Sequence, residues 1–189
     1  RIPNDLRLRL NVQAQINALQ STGAELRFNL RGDEARLVLK CHQQPVVIEV
    51  HWGSFFAGWH WIGREATEVV IRRPERLDLL LRVAREHPMP FAPELVRVLL
   101  PWRPPARLLS FDADCEPPHE GQAPQQRYLA YGSSITHGNA SVRPSAMYAR
   151  RTAQLLGVDL VNLGFGGGAH LEPEMADYIA GRQDWHFAS

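Results

Sequence analysis

The 189 residues, 44% hydrophobic and 22% charged, suffice for one large or two small globular domains. A formal net charge of +1 removes the electrostatic case for a nucleic-acid or membrane-surface partner. No apolar run reaches membrane-spanning length, and the opening Arg1-Ile2-Pro3-Asn4-Asp5 lacks a signal-peptide apolar core. Cys41 and Cys115 are too few for a disulfide framework and lack metal-ligand spacing. Free thiols, a reducing cytoplasmic setting and no metal are therefore expected. All basic residues except Lys40 are arginine, which by itself points to no site.

After a polar lead-in, Ala24, Leu26, Phe28 and Leu30 alternate with Glu25, Arg27 and Asn29, the pattern of a half-buried strand. Arg31-Gly32-Asp33 is read as a turn and Glu34 to Cys41 as the return strand of a hairpin. The Arg-Gly-Asp triplet is thus taken as turn chemistry rather than an adhesion signal. Val46, Ile48, Val50 and Trp52 line one face of a third strand, and Thr67 to Arg72 form a fourth. Between them, Phe55 to Trp61 is rich in aromatics. Such rings can stack on sugars, but core and edge packing is the favoured reading in a small sheet. Leu77, Leu80, Leu81 and Ala84 predict a helix over 75–86 behind Pro74. Leu95 to Leu100 and Ala106 to Phe111 complete the strands. Runs of strands with one helix and no βαβ alternation predict an all-β sandwich, jelly-roll-like, over 1–111.

Asp112 to Gln126 holds four acids and three prolines with no large apolar residue, and is read as a linker, 112–126. From Arg127 the pattern becomes α/β with a parallel sheet. Tyr128 to Tyr131 is a short buried strand that stops at Gly132-Ser133-Ser134. A helix from about Ser145 to Leu156 ends at Gly157, and Val158 to Leu163 is a second strand. Gly164-Phe165-Gly166-Gly167-Gly168 follows, then a helix near 173–180 and the start of a third strand at 185–189.

A serine at a sharp strand-to-helix turn presents its hydroxyl at the carboxyl edge of a sheet. From those residues alone, a nucleophile and a solvated Gly-Ser turn are equally good readings. The pairing raises the enzyme reading above the turn reading: in a parallel sheet the second, glycine-rich turn lies beside the first. Its backbone N–H groups can approach a developing oxyanion closely.

Gly132-Ser133-Ser134-Ile135-Thr136-His137-Gly138 resembles the first block of the SGNH (GDSL) hydrolases, and Asn162-Leu163-Gly164-Phe165-Gly166-Gly167 resembles their second. The resemblance implies a flavodoxin-like α/β domain over 127–189, in a subgroup with an N-terminal β-sandwich that contains both esterases and acyltransferases. It implies Ser134 as nucleophile and Gly167 N–H as oxyanion-hole donor, joined by the N–H of Ser134. It implies an acyl-enzyme, a small-molecule or glycan ester substrate, and no cofactor. Ser133 replaces the usual Asp or Asn. The family's oxyanion Asn and catalytic Asp and His have no matching positions before Ser189, so a truncated chain with weak ester hydrolysis is expected. His137 and His170 are candidate substrate-lining residues, not assigned as the general base.

Three other signatures fail. Gly164-x-Gly166-x-x-Ala169 with Asp184 fits a dinucleotide fingerprint only formally, since Pro173 falls where its helix should be under way. Asn139 after Gly138 excludes a Walker loop, and Thr136 breaks the Gly-x-Ser-x-Gly elbow. The alternative from another class is a carbohydrate-binding or interaction module without catalytic activity, resting on Trp59 and Trp61.

Overall fold

The computed structural model describes residues 1–189. The lead-in is not irregular: it forms α1 (Asn4–Arg7) and α2 (Val12–Asn17). Asn11 caps α2, its side-chain oxygen accepting from the Ala14 N–H at 3.0 Å. Leu6, Leu10 and Ala14 bury against Leu129, Leu163, Phe165 and Met175, all in the C-terminal half. The first residues of the expected 1–111 unit thus pack against the C-terminal half.

The expected hairpin is also corrected. β1 (Glu25–Lys40) is one 16-residue strand. Its pairing with β6 (Arg107–Glu116) shifts register between Leu30 and Ala35. A bulge there moves the buried side chains from even to odd positions without reversing the chain. Arg73 Nη2 donates to the carbonyls of Leu30 (2.5 Å), Arg31 (2.8 Å) and Gly32 (3.1 Å), so the irregular carbonyls have a partner.

β2 (Val46–Trp52), β3 (Phe55–Ile62), β4 (Thr67–Arg72) and β5 (Leu95–Leu99) join β1 and β6. The order is β3-β2-β5-β1-β4, with β6 also on β1. Hydrogen bonds thus link all six antiparallel strands into one sheet, and a sandwich of two separate sheets is not confirmed. The physical reason is the length of β1, which pairs β5 across Glu25–Asn29, β4 across Glu34–Leu39 and β6 across Asn29–Lys40. Leu37, Leu39, Ile48, Ile62 and Val98 lie in its core. α3 (Leu77–Glu86) rests on it through Leu77 and Leu80.

β6 runs through Glu116, so the first part of the expected linker is strand: Asp112, Asp114 and Glu116 alternate with Phe111, Ala113 and Cys115. Gln122, in what remains, exchanges two amide hydrogen bonds with Asn29, at 2.8 and 2.9 Å.

The C-terminal sheet is parallel, ordered β8-β7-β9: β7 (Arg127–Gly132), β8 (Asp159–Gly164) and β9 (Phe187–Ala188). α4 (Ser134–His137) follows β7, and α5 (Tyr148–Leu156) ends at Gly157 in the left-handed region, φ +67. α6 (Pro173–Gly181) precedes β9. Tyr128 and Ala130 pack on Ala149 and Ala153 of α5, whereas Leu129 shares its cluster with Met175 of α6. Successive β7 residues therefore face covered layers on opposite sides, as a parallel strand requires.

Charged side chains seal the two units together. The Glu25 carboxylate contacts Arg27 Nε at 2.8 Å, Arg97 Nη2 at 2.7 Å and Arg150 of α5. Arg27 continues to Asp159 of β8 at 2.6 and 2.8 Å. Burial alone would push the Glu25 carboxyl up, yet Arg150, Arg97 and Arg27 hold it well below the usual carboxylate range.

Candidate active site

β7 ends at Gly132, Ser133 precedes the helix, and Ser134 is the first residue of α4, half-buried at the carboxyl edge of the sheet. The end of β8 reaches this helix because Gly164 has no Cβ. A Cβ there would lie 2.3 Å from His137 N and 2.4 Å from the Thr136 carbonyl carbon. Asn162 stitches the two ends: Nδ2 donates to Thr136 O at 2.9 Å, and Oδ1 accepts the Gly164 N–H at 2.8 Å.

The glycine loop then passes beside the serines. A Cβ built on Gly166 would sit 3.6 Å from Ser134 Cα. Gly166 N–H donates to His137 Nδ1 at 3.1 Å, and Gly167 N–H donates to Ser133 Oγ at 3.0 Å. The structure thus brings Ser134 and the Gly166-Gly167 turn together. It engages the Gly167 amide with the neighbouring serine.

His137 departs from the substrate-lining expectation. It is 2% exposed, packed edge-on to Trp102 with ring centroids 5.5 Å apart. Its backbone carbonyl accepts from Thr22 Oγ1 at 3.2 Å. Burial, reinforced by Arg1 and Arg103, pushes its pKa down to about 4. It is a neutral imidazole turned under α4, with Nδ1 accepting, Nε2 carrying the proton and no partner for Nε2. His170 is exposed after the glycine loop, and His186 Nδ1 accepts the Arg127 N–H at 3.1 Å.

Residues from the N-terminal segment also build the site, and pattern reasoning missed them. Asn17 Nδ2 donates to Gly166 O at 2.7 Å, and Asn11 Nδ2 donates to Gly168 O at 2.9 Å. With their carbonyls held by α2, the loop glycines turn their amides toward Ser133 and His137. A Cβ on Gly168 would fall 2.6 Å from Ala14 N, so this contact demands glycine. Nothing in a polar lead-in signals two asparagines that clamp a loop about 150 residues away in sequence. No three His, Cys, Asp or Glu side chains converge on a possible metal position, and no helix is long and apolar enough to cross a membrane.

Residues 125–184 match the GDSL-like lipase/acylhydrolase family. No curated protein sequence matches the chain significantly. Among solved structures, the salicylyl-acyltransferase SsfX3 from a tetracycline biosynthetic pathway is similar over 97% of this chain and 51% of its own, with TM-score 0.72 and 19% identity. A GDSL-like lipase-family protein from Bacteroides ovatus aligns over 99% of this chain and 56% of its own, with TM-score 0.68 and 19% identity. A family two carbohydrate esterase from Clostridium thermocellum, solved in complex with cellohexaose, aligns over 77% and 46%, with TM-score 0.51 and 14% identity. These likenesses are of fold, and the chain spans about half the length of the structures it matches. The stretch that matches the GDSL-like lipase/acylhydrolase family, residues 125–184, holds the serine turn, the Asn-led glycine loop and the two parallel strands that lead into them.

Proposed function

We propose that the protein is a serine esterase or acyltransferase. Ser134 Oγ bonds to the acyl carbon of an ester while the alcohol leaves with a proton, and water or an acceptor alcohol then releases the acyl group. The observation that carries this reading is the half-buried Ser134 at the head of α4 with the glycine turn against its Cα. The family match over the same residues supports it. The N–H groups of Ser134 and Gly167 are the proposed oxyanion donors, each worth about 3 kcal/mol when well aimed. Because Ser133 Oγ holds the Gly167 amide, that hydroxyl has to turn aside before Gly167 can serve. The substrate is a small-molecule or glycan ester.

Treating the full-length protein with a fluorophosphonate, followed by peptide mass spectrometry, tests the assignment. A covalent adduct on the peptide bearing Ser134, absent from Ser134→Ala, is expected. Modification of another serine, or none, would remove Ser134 as nucleophile.

A second reading, glycan binding, is favoured by one feature of β3. Trp59 and Trp61 are 52% and 58% exposed on the edge strand, with ring centroids 6.0 Å apart. The cellohexaose complex of the Clostridium esterase makes cello-oligosaccharides the first ligands to try. Saturable retention in affinity electrophoresis, lost in Trp59→Ala and Trp61→Ala, is expected; no retention of the unaltered protein would dismiss this reading.

A further inference from the structure

A cavity of about 470 Å³ lies between the antiparallel sheet and α5, within the roughly 300–1,000 Å³ range of small-molecule sites. Neither Ser133, Ser134 nor the glycine loop forms any of its wall. Arg97, Arg143 and Arg151 line it, and no carboxylate does. Arg97 is committed elsewhere: it is paired with Glu25, and its guanidinium carbon lies 3.5 Å from the Phe91 ring centroid. The other two are held more loosely and keep N–H donors free.

Arg151 is exposed and makes one side-chain hydrogen bond, to Gln154 Oε1 at 3.2 Å. Arg143 Nη1 stands 3.5 Å from Glu49 Oε1, and its side chain is 50% exposed. That carboxylate is fully buried and already occupied, Oε1 accepting the Ser145 hydroxyl at 2.9 Å and Oε2 the Ser145 N–H at 2.8 Å. Two guanidinium groups with donors to spare thus border one concavity with no carboxylate in its wall, which favours an anion there. Planar N–H forks match the oxygens of phosphate and carboxylate groups. Beside them, Phe56 and Met89 remain 51% and 38% exposed, and the Arg143 guanidinium lies 5.9 Å from the Phe56 ring centroid. A cationic wall beside an apolar rim suits a ligand with one charged end and one apolar end.

We propose that this cavity binds a small amphiphilic phosphate monoester, its dianionic head on Arg143 and Arg151 and its apolar or aromatic body on Phe56 and Met89. A phosphate monoester dianion brings about two charges and three acceptor oxygens to the two guanidinium groups, against one charge and two oxygens for a monocarboxylate. The site is independent of the chemistry proposed for Ser134.

Isothermal titration and amide chemical-shift mapping with phenyl phosphate, inorganic phosphate, benzoate and benzyl alcohol test it. Phenyl phosphate should bind saturably and shift amides around Arg143 and Arg151. Inorganic phosphate should bind more weakly and benzyl alcohol not at all. The double variant Arg143→Gln/Arg151→Gln, altered only at exposed side chains, should lose about tenfold or more in affinity. Raising salt should weaken binding. Ser134→Ala should bind as the parent does, which separates this site from the active-site proposal. Absence of saturable binding, affinity that survives the double substitution, or shifts centred on Ser134 would overturn the proposal. Benzoate binding as tightly as phenyl phosphate would overturn the phosphate assignment.

Discussion

At the scale of single residues, His137 shows how a side chain near a candidate nucleophile can serve packing. Its Nδ1 fixes the Gly166 amide and its ring rests on Trp102, so protonation would place a charge where neither neighbour accepts it. Its folded pKa, about 4, lies below the ordinary value of 6.5. Between those values the unfolded chain binds a proton that the native one excludes. The neutral imidazole's contribution is therefore fully present above about pH 6.5 and is lost as pH falls toward 4. The loss is up to about 3 kcal/mol. Urea unfolding of the parent and of His137→Asn at pH 7.5 and pH 5 should show a steeper acid loss for the parent. Equal losses would mean that His137 takes up its proton as readily in the native state as in the unfolded chain. The letters place this histidine one helical turn from Ser134, but its ring packs against Trp102, which lies outside the motif.

At the scale of elements, the contact that makes the site is the end of β8 against α4. Gly164→Ala would set a methyl against the backbone of Thr136 and His137, which cannot rotate away, whereas a Cβ on Gly181 meets nothing within 4 Å. Thermal and urea unfolding should show Gly164→Ala destabilised by about 3 kcal/mol or more. Gly181→Ala should be neutral or more stable, by up to about 1 kcal/mol. Parity between the two would contradict the close approach. The motif marks both glycines of this corner, Gly132 and Gly164, as turn residues. It carries no sign of α2, whose Asn11 and Asn17 orient the loop from the opposite side.

Across the whole molecule, the two units are joined by buried charge. Glu25 and Arg150 have side chains only 3% exposed, and Arg97 5%. Removing one member leaves the others desolvated without a counter-charge, at a cost of about 3–5 kcal/mol. Glu25→Gln should therefore lower the urea midpoint far more than Glu34→Gln, whose carboxylate pairs with Arg36 and Arg72 at 33% exposure. A loss below about 1 kcal/mol, the scale of a surface pair, would contradict the buried role. Because the Glu25 pKa is depressed, its contribution stands above the ordinary carboxylate pKa and disappears as pH falls through its lower native value. The two units should then unfold together at neutral pH.

Much of this was readable from local pattern. Alternation located β2, and short apolar runs located β4, β5 and the first residues of β6, while helical spacing and stop residues located α3, α5 and α6. A strand, a glycine and a serine, repeated one crossover later as a strand and a glycine run, marked the corner where Ser134 sits. Those features rest on neighbours within a few positions, where steric preference and side-chain periodicity act directly. Tertiary structure decided the rest. It made β1 one bulged strand rather than two, because Arg73 and three different partner strands satisfy its backbone. It drew α1 and α2 onto the C-terminal sheet, because Leu6, Leu10 and Ala14 find their apolar surface there. It turned the Gly167 amide to Ser133 and His137 into the interior. Each of these depends on which distant group occupies a given space, and close packing, unlike periodicity, is not written in the order of residues along one segment.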